Sequence, residues 1–92
     1  MRTIHKFQLE INAEAQTLEL PENSRMLHVE YVMPRRAINV WYEVTADMTA
    51  ERLPHKFRIF ATGDGIPDHG EYVGSAIDQY LPESYHIYEL KD

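Results

Sequence analysis

Alternation of apolar and polar residues constrains this chain more than any other feature. In "RMLHVEYVM", residues 25–33, Leu27, Val29, Tyr31 and Met33 fall on one side of an extended chain, with His28 and Glu30 on the other. A period of two belongs to a strand half-buried in a sheet and does not make an amphipathic helix. The same reading continues along the sequence. "RTIHKFQLEI" aligns Thr3, His5, Phe7, Leu9 and Ile11 and leaves Ile4 opposite, and "QTLEL" puts Leu18 and Leu20 together. "AINVWYEVT" sends Ile38, Val40, Tyr42 and Val44 inward, and "HKFRIFATG" sets Phe57, Ile59 and Ala61 against Lys56, Arg58 and Phe60. With "EYVGSAI" and "SYHIYEL", about seven strands result.

Turn chemistry separates them. "PENS", "MPRR", "TGDGIPDHG" and "LPES" supply the proline, glycine, Asx and serine residues that reverse a chain. The best helical candidate, "ADMTAERL", has Asp47 or Thr49 as a cap for one or two turns. Strands at this spacing without crossover helices pair antiparallel, which predicts an all-β fold: a small sandwich or partly open barrel with at most one short helix. The 92 residues make one domain, because two separate cores need a longer chain.

Composition restricts the partners. Hydrophobic residues make up 43% and charged residues 26%, the balance of a chain that folds. Nine Lys and Arg against fifteen Asp and Glu give a formal charge of −6, which repels phosphate backbones and anionic membranes. Nucleic acid and membrane are therefore not expected partners. The absence of cysteine removes disulfides, thiolate zinc sites and thiol nucleophiles, and suits a reducing cytoplasm. No apolar run reaches the roughly 18 residues of a spanning helix, so the expectation is a soluble cytoplasmic protein.

Four groups of residues are candidates for function. Trp41, Phe60, Val73 and Tyr88 oppose the main apolar set of their strands; they either cover a second face of the sheet or form an exposed patch for a partner. Arg35 and Arg36 stand at a hairpin tip, as a solvated turn or a bidentate clamp for a carboxylate or phosphate. "FATGDGIPDHGEYVG", residues 60–74, contains all four glycines. Its Gly63, Gly65, Asp64, Asp68 and His69, with Arg58 nearby, either turn the chain or cradle an anion. It has neither a Walker lysine nor the ligand series of a calcium loop. The five histidines, His5, His28, His55, His69 and His86, show no metal-ligand spacing, and no metal or cofactor is expected.

"TIHKFQLEI", "TLELPENSRMLHVE" and above all "FRIFATGDGIPDHGEYVGS" resemble a family of small uncharacterised bacteriophage proteins that carry a "RIFGTGHPIPD...YIGT"-like segment. The similarity spans most of the chain and departs at residues 34–54, and at Asp64-Gly65, where the family has His-Pro. It implies a phage or prophage accessory protein in the host bacterial cytoplasm and brings no catalytic residue. No nucleophile, base and metal assemble from the sequence, so an enzyme is not expected. The leading expectation is a non-catalytic protein that binds a host protein, or itself as a homo-oligomer, through strand edges or the Trp41 face. A nucleotide-sequestering protein is the alternative, and a minor virion component a further one.

Overall fold

The computed structural model describes residues 1–91. Seven strands follow in order: β1 (Arg2–Glu10), β2 (Gln16–Pro21), β3 (Arg25–Val32), β4 (Ala37–Thr45), β5 (Arg52–Ala61), β6 (Gly70–Asp78) and β7 (Glu83–Leu90). They form a three-stranded sheet in the order β1-β4-β3 and a four-stranded sheet in the order β2-β5-β7-β6. Every pairing is antiparallel. The two sheets stack as a sandwich whose extents are 41 × 30 × 16 Å. The core between them takes Leu9 from β1, Leu20 from β2, Ile38, Val40, Tyr42 and Val44 from β4, Phe57 and Ile59 from β5, and Tyr85 and Ile87 from β7. These are largely the residues that the period-two pattern turns inward, because alternate side chains of a strand share a face.

The sequence pattern and the structure part at three places. "ADMTAERL" forms no helix: Asp47 Oδ1 accepts from the Thr49 amide at 2.9 Å and its hydroxyl at 2.7 Å, and the Ala50 amide reaches the Asp47 carbonyl at 3.2 Å. One turn is all that fits, since Arg52 and Leu53 already pair with Pro21 and Leu20. Ala61 is exposed where β5 runs into its turn, and Phe60 is buried in its stead on the opposite face. In β3 the register against β4 shifts between Met26 and His28, leaving Leu27 as an extra, exposed residue. Such a bulge reverses the face of everything before it, so Met26 joins the core side.

A second shift lies in β6, between Tyr72 and Gly74. It brings Gly74 against β3 so tightly that a Cβ built there would lie 2.6 Å from Val29 Cγ2. Only glycine lets the two sheets touch at this corner. Beyond the contact a groove of about 440 Å³ lies between β3 and β6.

The outer faces of the two sheets differ. On the four-stranded sheet Phe60 is only 1% exposed, although it points away from the central core. Tyr88 packs edge-on to it at 5.6 Å and Arg58 lies over its ring at 4.9 Å. The segment between β5 and β6 runs back beside them, since a Cβ on Gly70 would meet Ile66 and Tyr88 at 3.4 Å and the Pro67 carbonyl at 3.2 Å. The outer face of the three-stranded sheet carries Trp41 at its middle, between Lys6 of β1 and His28 of β3.

Candidate functional site

The glycine-rich segment acts first as a connection. Gly63 has φ of 99°, a left-handed torsion that side chains rarely adopt. It allows the Asp64 amide to reach the Ala61 carbonyl at 3.0 Å while Asp64 Oδ2 accepts from the Ala61 amide at 2.9 Å. The Asp64 carboxylate thus closes its own turn. A second turn follows where the Gly70 amide donates to Pro67 at 3.0 Å, and the Lys91 amide donates to the His69 carbonyl at 3.3 Å. Gly65 has open space around it and Asp68 is exposed.

Arg36 adopts φ of 48° in the β3–β4 turn, and this aims its side chain at the far sheet. Its Nη2 donates to the Tyr85 hydroxyl at 3.2 Å, and that hydroxyl donates to Glu83 Oε2 at 2.6 Å. Tyr31 stacks on Tyr85 with centroids 6.1 Å apart. The Glu83 hydrogen bond is the main reason that the Tyr85 phenol sits above its usual range, with burial adding to it. At the same end Asp78 is buried, with 1% exposure, and takes amide protons from Tyr80 at 2.9 Å and Leu81 at 3.2 Å. Burial pushes its carboxyl upward, but the Leu81 and Tyr80 amides, the Tyr31 hydroxyl and the charge of Arg36 outweigh that and hold it below the ordinary value. This network ties the β3–β4 turn to the β6–β7 turn.

Arg58 stands on the outer face of the four-stranded sheet, whereas Arg36 reaches Tyr85, which faces the core from that sheet's inner side. Arg36 and Arg58, each a candidate for holding an anion, are therefore on opposite sides of one sheet. Beside Arg58 runs a chain of polar contacts: Tyr72 Oη to Ser75 Oγ at 2.8 Å, Ser75 Oγ to His86 Nδ1 at 2.8 Å, and His86 Nε2 to Thr62 Oγ1 at 3.1 Å. Serine and histidine at this distance are the first two parts of a nucleophilic site. Here they lie exposed in a cross-strand pair of β6 and β7, and the third partner is a threonine hydroxyl in place of a carboxylate. The contacts fasten three strand positions together; pairing of this kind stabilises sheets generally.

Of the four residues considered as one patch, Phe60 and Tyr88 touch, whereas Trp41 belongs to the other sheet. Val73 is the extra residue of the β6 bulge and packs against the central core. Trp41 is half-buried, with the His28 ring 5.4 Å away, and the exposed Ile4 flanks it on β1. An Arg2–Glu43 ion pair at 3.1 Å lies further along the same face. His28 also lines the groove between β3 and β6, so the Trp41 face and the groove meet around the edge of β3.

Met33, Ile77 and Tyr80 at the groove were not among the residues singled out from the sequence, and all three are exposed, Tyr80 at 77%. Their only sequence signal is apolar character in positions that a sandwich normally hides, and it becomes meaningful once the strand order makes β3 and β6 neighbours. Among the described residues no cluster of three His, Asp or Glu side chains is placed to hold a metal ion, and none of their helices is long and apolar enough to cross a membrane.

These features define a small antiparallel β-sandwich that carries a half-buried Trp41 on one outer sheet face and a groove between two strand edges. The chain belongs to the DUF7352 family, a domain of unknown function, which it matches over residues 1–92. No curated protein and no solved structure matches it.

Proposed function

We propose that this protein acts by binding another protein, without catalysis, through the open face of its three-stranded sheet centred on Trp41. The observation that carries the reading is the inequality of the two outer faces. The four-stranded sheet covers its outward phenylalanine with Tyr88 and Arg58, and the β5–β6 segment runs back beside Tyr88. The cross-strand neighbours of Trp41 are Lys6 and His28, and its side chain is partly exposed. A half-buried tryptophan on an open sheet is the residue type that dominates protein interfaces. The resemblance to bacteriophage proteins supports a phage or prophage accessory role, with a bacterial host protein or a second copy as the partner.

Trp41→Asp is the test. The partner captured by the parent protein in its bacterial host, or the oligomer seen by native mass spectrometry, is lost in the variant. If both survive the substitution in a folded variant, the Trp41 face is not the binding surface.

A further inference from the structure

We infer that the groove between β3 and β6 takes an extended, basic segment of a partner protein as an added strand on the edge of β6. The inference rests on the reading of this chain as a protein-binding module and assigns a second contact, with its own chemistry, beside the Trp41 face.

Three observations carry it. First, β3 and β6 each terminate a sheet, so each has one side without a strand neighbour, and those two sides face each other across the groove. An unpaired strand edge is a row of backbone donors and acceptors, and the ligand matching such a row is another extended chain. Both strands run from the Val29–Gly74 contact toward Met33 and Tyr80. A segment laid along β6 in the opposite direction pairs antiparallel with it, and the Val29–Gly74 contact limits the stretch it can border to about five residues at roughly 3.4 Å each.

Second, β6 lacks the basic and proline residues that guard the other edges. The other edge strands carry Arg2 and Lys6 in β1, Pro21 in β2 and Arg25 in β3. In β6 no lysine, arginine or proline occurs, and its bulge lies before Gly74, outside the stretch Ser75–Asp78 that borders the groove. Ile77, 62% exposed, and Tyr80 beyond it offer apolar contact to alternate side chains of an added strand.

Third, charge selects the occupant. Glu30 lines the groove, and no lysine or arginine does. With −6 on the chain, a cationic segment is attracted to the groove.

The experiment is a titration of ¹⁵N-labelled protein with three acetylated, amidated hexapeptides: alternating lysine and valine, alternating glutamate and valine, and the lysine peptide with its valines N-methylated. The lysine peptide is expected to shift the amides of residues 75–80 and 28–33. N-methylation removes backbone donors with the side chains kept, and abolishes the effect; the glutamate peptide binds on the order of tenfold more weakly or not at all. Ile77→Asp, at an exposed position that tolerates the change, loses the response, whereas Trp41→Asp keeps it. No shift with the lysine peptide, or equal shifts with its N-methylated form, overturns strand addition. Shifts confined to the Trp41 face also overturn it and leave the Trp41 reading standing. Loss of partner capture in Trp41→Asp with the peptide response intact separates the two surfaces in the other direction.

Discussion

At the scale of single residues, Gly74 is the position with the least freedom. An alanine there meets Val29 Cγ2 at 2.6 Å, inside van der Waals contact. Gly74→Ala is expected to cost about 1–3 kcal/mol, the usual range for overpacking. Urea unfolding measures it, and Val29→Ala in the same chain should recover part of the loss, with a coupling above about 0.5 kcal/mol. Phe60→Ala is expected to cost about 3–5 kcal/mol, as for a core phenylalanine. Trp41→Ala costs less, because that side chain is already half in water. If the two substitutions destabilise equally, the distinction between the covered and the open face fails. Asp78 gives a pH signature. Its folded carboxyl is depressed below the ordinary aspartate value, so its contribution to stability is fully present above that ordinary value and is lost as the pH falls through the lower, folded one. Asp78→Asn should therefore remove part of the acid-side decline in urea midpoint and lower the midpoint at neutral pH. An unchanged acid limb contradicts the assigned role.

At the scale of elements, β4 was the most legible strand and β3 the least. Ile38, Val40, Tyr42 and Val44 follow one uninterrupted period, and all four are buried. "RMLHVEYVM" alternates just as cleanly, yet a bulge at Leu27 breaks its register, because one extra residue leaves no mark in a pattern of apolar and polar letters. The β5–β6 segment was legible as a turn from its glycines and Pro67. Its second task, running back beside Tyr88 and Gly70, depends on which sheet face lies beneath it. That task makes Ile66 a test position despite its 41% exposure. Ile66→Asp should loosen the cover over Phe60 and lower the thermal midpoint, whereas Ile4→Asp, on the uncovered face, should leave it nearly unchanged. Equal shifts in the two variants would mean that the segment gives no cover.

For the whole molecule, the all-β class and its seven strands follow from period and punctuation, because the best helical candidate, "ADMTAERL", is too short to set the class. The candidate site was much less legible. Trp41 stood out as an outward aromatic, but its separation from Phe60 and Tyr88 requires knowing that β4 and β5 join different sheets. Arg35 and Arg36 looked alike in the sequence; a positive φ at Arg36 sends that one guanidinium to Tyr85. Site geometry is a product of strand order, and strand order is set by contacts far apart in the chain.

The same strand order governs how the protein is made. β7, the last strand, lies inside the four-stranded sheet between β5 and β6. A ribosome adding about 5–20 residues per second therefore displays β5 and β6 before the strand that joins them exists. Until residues 83–90 emerge, β5 and β6 each present the unpaired edge that β7 will occupy. The nascent chain is thus most adhesive while those edges wait for β7, and a product truncated before residue 83 keeps that condition permanently.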